Sequence, residues 1–324
     1  MLGLIAFLVY LATMSPHAYP GEPARLVARH TSFQPYIEVD HGIWLSVSRL
    51  ASYIPVSTLT LRLSLFSAFC AASVVWLVYA FHYRLVRRRI ATERFVHGHS
   101  VSPEQGQHAS VLSATVAAVF IMVCVPFWTV GNRPHYLAFD LLLFALAAYG
   151  SLLYRHRGNA RHYFAACFVA GLGAVEYTGF LIVSPLFAIA LLWGLHSHGV
   201  LNARMLLKGL LVFLLGFTTL LPLAAYFYLN PLAQLQGFES FQEMLFYVGY
   251  KNHVAMVQSI PRVGWLLILC LCFAPWLFVV GIRGTQGGRI VYLVLSAVAI
   301  GILFGAPFSP WVVVTQQNAA VLPV

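Results

Sequence analysis

Acids are scarce in this chain. Its 324 residues hold 9 Asp and Glu against 19 Lys and Arg, and only 9% are charged. A soluble domain is about 25% charged. With 60% hydrophobic residues, a soluble fold of this length cannot hide its apolar surface, so the surplus must face lipid. The net charge of +10 then reads as the basic bias of cytoplasmic membrane loops, and no nucleic-acid partner is expected. Cysteine is sparse too. Cys70, Cys124, Cys167, Cys270 and Cys272 lie inside apolar stretches, with no CxxC and no Cys/His metal spacing. That excludes a disulfide framework and a zinc module, and leaves five small buried hydrophobes. Internal repeats, a Gly-rich phosphate loop and heptad runs are absent.

What remains is a series of apolar runs. About nine segments stand out, at 2–15, 62–82, 110–130, 135–154, 163–175, 177–195, 208–229, 264–282 and 290–306. The fold class expected is all-α, a polytopic membrane helix bundle forming a single transmembrane domain over 1–324. Met1–Met14 has no basic n-region, so it reads as a first membrane helix rather than a signal peptide. "HYRLVRRRIATER", after the second segment, is expected to be a cytoplasmic loop. Residues 155–162, the Arg204 and Lys208 region, and the Arg283 and Arg289 region join it on that side if the chain breaks near Glu176. The polar stretch "HGHSVSPEQGQH" (97–108) reads as another part of that cytoplasmic loop, its histidines solvated.

The opposite, non-cytoplasmic face then carries two long loops, 16–61 and 230–263. They hold five of the nine acids: Glu22, Glu38, Asp40, Glu239 and Glu243. Within the first loop, Ile43, Trp44, Val47, Leu50, Ala51 and Ile54 recur at near-helical spacing, which predicts an amphipathic helix lying in the interface.

Several weak motifs follow in order. Pro20-Gly21-Glu22 opens the first outer loop, and Leu26 follows. His41 stands three residues before Trp44. Arg62, Leu63, Leu65, Ser67 and Ala68 form a third group. "PFW" (126–128) and "GLGAVEYTGFLIVSPLFA" (171–188) complete the set. Together they resemble the GT-C glycosyltransferases of the protein O-mannosyltransferase-like type, a group once catalogued as a bacterial membrane domain of unknown function and known to have animal relatives. The likeness spans roughly residues 15–190. Arg25 stands where that family has a second acid, Val175-Glu176-Tyr177 replaces its Asn-His pair, and "NRPHY" (132–136) replaces an E-V-Y. Relatives often carry more helices and a soluble C-terminal part, so the chain is expected to be truncated or a reduced form.

The resemblance implies an inverting transfer of a mannose-like sugar. The donor is a polyprenyl-phosphate-linked sugar and the acceptor a hydroxyl, of protein Ser/Thr or of a glycan, on the extracytoplasmic side of a bacterial-type inner membrane. It implies that an acid in the first outer loop acts as base. Such a site needs a carboxylate near the incoming hydroxyl and cations around the leaving phosphate. Glu22 is the first candidate base and Asp40, beside His41, its rival. Arg25 and Arg29, at i and i+4, face one phosphate if the loop is helical there; otherwise they meet lipid headgroups. Arg62 reads as a phosphate contact or a snorkelling cation. His41 either bridges to the ligand or caps the interfacial helix.

Asp140 and Glu176 are acids within apolar segments, and such residues face a bundle interior or water. With Tyr177 they are expected to line the outer cavity, although Glu176 solvated at a turn is the plain alternative. No cofactor is required. A divalent cation, Mg²⁺ or Mn²⁺, held by Glu22 or Asp40 with Glu176 is compatible with oxygen donors. Lys251, Asn252 and His253 read as surface residues or as ligand contacts. Two other functions compete: a secondary transporter or flippase for a lipid-linked or anionic substrate, coupled through Asp140 and Glu176, and a catalytically inactive GT-C-like scaffold.

Overall fold

The computed structural model describes residues 1–17, 20–31, 41–55, 57–97 and 102–251. Among the described residues every regular element is helical. The helices are α1 (Leu2–Ala12), α2 (Glu22–His30), α3 (Gly42–Ser52), α4 (Leu59–His97), α5 (Pro103–Val123), α6 (Val125–Gly131), α7 (Leu137–Arg157), α8 (Ala160–Glu176), α9 (Thr178–Ser197), α10 (Ala203–Phe217), α11 (Leu220–Tyr228), α12 (Pro231–Leu235) and α13 (Phe241–Phe246). A short π-helical turn, Tyr247–Lys251, follows α13. Four stretches are long and apolar enough to cross a membrane: Leu59–Ala91, Pro103–Val123, Leu137–Arg157 and Ala203–Tyr228. The expected segments 264–282 and 290–306 lie outside the described residues, as does most of 251–263.

The centre of the bundle is α4, which packs against α1, α5 and α7. Its 39 residues make about 58 Å of helix, well beyond the roughly 30 Å of a bilayer core. The expected loop after residue 82 is therefore helix: α4 runs on through Arg84, Arg87, Arg88 and Arg89. Nothing in that arginine-rich stretch breaks a helix, since Arg is a good helix former and no Gly or Pro intervenes. The polar stretch 97–108 also departs from expectation. Ser102 and Gln105 form a reciprocal capping box, and α5 begins at Pro103.

Packing inverts the soluble pattern. On α5, Gly106, Ser110, Ala114 and Ala118 recur every fourth residue and are buried, while Leu112, Val116, Phe120 and Val123 are exposed. Small residues let helix backbones approach, and large apolar ones are left for lipid. The α8–α10 crossing is tighter. A Cβ on Gly171 would collide with the Phe213 carbonyl, and one on Gly216 with the Phe168 carbonyl. The helix expected over 110–130 breaks at Cys124. Pro126 has no N–H for the Met122 carbonyl, and the Tyr10 hydroxyl donates to that oxygen instead at 3.4 Å.

The basic ends converge. Arg88 donates to the Arg155 carbonyl at 3.4 Å, and His198 to the Tyr154 carbonyl at 3.2 Å. This gathers the ends of α4, α7 and α9 at one end of the bundle. The start of α3, the turn before α7 and the α8–α9 break meet at the other.

Candidate functional site

The site begins with a break. Helix α8 ends at Glu176 because Tyr177 is extended, with φ −140° and ψ 120°, and α9 restarts at Thr178. The break turns the Glu176 side chain inward, where it is 4% exposed. Its Oε2 accepts the Ile43 amide at 2.7 Å and its Oε1 the Trp44 amide at 2.9 Å. These are two of the unpaired N–H groups that open α3, at the positive end of its dipole. The cap of α3 therefore comes from Glu176 and not from the His41 side chain. Glu176 is not solvated at a turn.

His41 occupies the N-cap position with φ 53° and ψ 47°. This left-handed conformation costs an L-residue about 1–2 kcal/mol, and it turns the imidazole back toward α7. The ring stacks on Tyr136 at a centroid distance of 3.5 Å, with Tyr177 further off at 6.1 Å. His41 Nδ1 lies 3.2 Å from Asp140 Oδ2 and 3.9 Å from Glu176 Oε1. Asp140 stands in the first turn of α7 and is buried. Neither of its carboxylate oxygens makes a hydrogen bond among the described residues. The close approach to His41 becomes an ion pair when the ring is protonated.

The turn before α7 closes the site. The His135 amide donates to Ser67 Oγ at 3.0 Å, and the Ser67 hydroxyl donates back to the His135 carbonyl at 3.2 Å. His135 Nδ1 accepts the Leu137 amide at 3.2 Å. Burial holds the His135 imidazole neutral, its pKa pushed down to about 3, with further lowering by the charges of His41, Arg25 and Arg133. Helix α2 packs against α4.

The sequence-predicted residues divide accordingly. Asp140, Glu176 and Tyr177 gather around His41. Helix α2 confirms the helical i, i+4 relation of Arg25 and Arg29. Arg25 Nη2 is paired with Glu22 Oε1 at 2.7 Å, while Arg29 is buried. Arg62 is anchored to backbone: it donates to the Ser52 carbonyl at the end of α3, at 2.7 Å, and to the Ser57 carbonyl just before α4, at 3.1 Å. Asp40, Asn252 and His253 lie outside the described residues. Helix α3 exists where its spacing predicted, but Trp44, Leu45 and Ser48 are buried against the bundle. Sequence reasoning passed over His135 and Tyr136 as site residues. The signal was "NRPHY", a polar and aromatic knot in a tight turn between apolar helices.

Residues 41–199 match the family model described as the protein O-mannosyl-transferase TMEM260 N-terminal domain. Over this stretch the chain is similar to that domain. The matched residues include His41, Arg62, His135, Asp140, Glu176 and Tyr177, and they begin after Glu22, Arg25 and Arg29. No curated protein and no solved structure is found to match the chain.

Proposed function

We propose that this chain is a membrane glycosyltransferase that moves a mannose-like sugar from a polyprenyl-phosphate donor to a hydroxyl of protein Ser/Thr, at the non-cytoplasmic face. The observation that carries this reading is the match of residues 41–199 to an O-mannosyl-transferase domain. The site supports it, because the strained His41 of that domain sits between two buried acids.

In this reading Glu22 is the base that takes the acceptor proton. It stands at the first position of α2, after Gly21 with φ 93°, a backbone conformation favoured by glycine. Arg25 pairs with it at 2.7 Å, which orients the carboxylate. The charge of the same guanidinium also helps to keep the buried His135 neutral. Arg25 and Arg29 supply positive charge for the departing phosphate. Arg62 holds the end of α3 in place and thereby positions His41 at its start.

The test is the purified full chain with polyprenyl-phosphate mannose and a Ser/Thr-containing peptide, scored for mannosyl peptide and free carrier phosphate. Release of both is expected, and Glu22→Gln should lower turnover by about 100-fold or more. No transfer from any polyprenyl-phosphate sugar would leave the transporter or scaffold readings standing.

A further inference from the structure

We propose that His41, Asp140 and Glu176 form a binding site for a divalent transition-metal ion, zinc or manganese. One donor atom from each residue lies within 4.8 Å of the others, and the His41 Nδ1 distances are 3.2 Å to Asp140 and 3.9 Å to Glu176. Donors about 2.0–2.1 Å from a tetrahedral zinc stand about 3.3 Å apart. The three side chains need close by only a fraction of that distance around an ion.

Asp140 is the observation that demands a ligand. Its side chain is 2% exposed, and both oxygens lack a hydrogen bond among the described residues. A carboxylate is costly to bury unless it is paired and hydrogen-bonded, or coordinates a metal. Two carboxyl groups facing one imidazole stay ionised together only if a cation joins them; otherwise one of them keeps a proton. A dication with a neutral imidazole balances the set.

The surroundings have the form of an outer shell. Each Glu176 oxygen accepts one backbone amide and retains a lone pair for a metal. The His41 ring is held by the stacked Tyr136. Such partners fix ligand orientation and raise affinity. The imidazole nitrogen favours zinc over magnesium, which prefers an all-oxygen shell, and the two carboxyl groups also suit manganese. Three protein ligands leave a coordination position for an outside oxygen. If the proposed function holds, that oxygen belongs to the donor phosphate; metal binding itself does not depend on it.

The experiment uses the full chain in detergent, free of any affinity tag and stripped by chelation, titrated with Zn²⁺ or Mn²⁺. Bound metal is read by elemental analysis, and Mn²⁺ also by electron paramagnetic resonance. One tightly bound ion per chain is expected. Asp140→Asn and His41→Asn should each weaken it by about 100-fold, while Glu22→Gln retains it. Thermal melting and gel filtration show whether each variant has folded. A folded wild-type chain that binds no ion at micromolar metal overturns the site, and so does wild-type affinity in both ligand variants. Metal binding without sugar transfer would keep the site and refute the transferase reading instead.

Discussion

Glu176 Oε1 accepts the Trp44 amide at 2.9 Å, joining residues 132 positions apart in the chain. With the bond from Ile43, one side chain at the α8–α9 break fixes where α3 begins, and hence where His41 points. Glutamine at this position keeps one acceptor oxygen and brings an NH₂ against a backbone N–H. Glu176→Gln is expected to destabilise the protein by about 1–3 kcal/mol, seen as a lowered thermal midpoint. An unchanged midpoint would show that the capping bonds contribute nothing.

The α8–α10 crossing depends on Gly171 and Gly216, each pressed against the other helix's backbone. Backbone cannot move aside as a flexible side chain can. Gly216→Leu should cost at least about 1–3 kcal/mol through overpacking, and should lower the yield of folded protein in detergent. The neighbouring exposed Leu215 serves as the control, and Leu215→Ala should be nearly neutral.

Arg62 bridges the Ser52 carbonyl at the end of α3 and the Ser57 carbonyl just before α4. Arg62→Ala should reduce stability by about 1–3 kcal/mol, and Lys should rescue only part, since one ammonium does not reproduce the guanidinium fork. Comparison of melting with the KM for a polyprenyl-phosphate donor separates this role from direct phosphate binding. Raised KM with unchanged melting would contradict the anchoring role.

His30 should make the protein acid-sensitive. It donates from Nδ1 to the Leu26 carbonyl at 2.9 Å, and its Nε2 accepts from the Ser48 hydroxyl at 2.8 Å. Burial pushes its pKa down from 6.5 to about 4; the Leu26 hydrogen bond opposes this, and the charges of Arg49 and Arg29 add to it. The unfolded chain therefore binds this proton more readily than the native one. Stability is full above pH 6.5, falls as pH drops from 6.5 toward 4, and levels off below. The loss amounts to about 3 kcal/mol at roughly 1.4 kcal/mol per pKa unit. Melting across this range should show the decline, and His30→Gln should flatten part of it. His135 adds a loss of the same sign that persists to lower pH.

Much of the architecture was legible because hydropathy reports burial in lipid directly. The apolar runs at 2–15, 135–154 and 177–195 correspond to α1, α7 and α9, and the break near Glu176 was visible as an acid between two such runs. The extension of α4 was hidden, because hydropathy falls at the arginines although helix propensity does not. The capping box at Ser102 and Gln105 was written in the sequence and went unread. At the site, Asp140 and Glu176 betrayed themselves as acids in apolar surroundings. His135 carried no such mark, since its importance lies in a reciprocal bond to Ser67.

Composition alone led to the expectation of a membrane protein, with too few charges and too much apolar surface, and among the described residues four stretches are long and apolar enough to cross a bilayer. Local pattern determined most helix positions, because periodicity and turn chemistry act over a few residues; helix α2 was in the sequence only a condition on Arg25 and Arg29. Only the tertiary structure decided that His41, Asp140 and Glu176 meet, that Glu176 caps α3, and that Arg62 serves the backbone. Those contacts depend on how α3, α7 and α8 pack. That packing is set by small residues and close backbone approach between distant parts of the chain, which no local window of sequence contains.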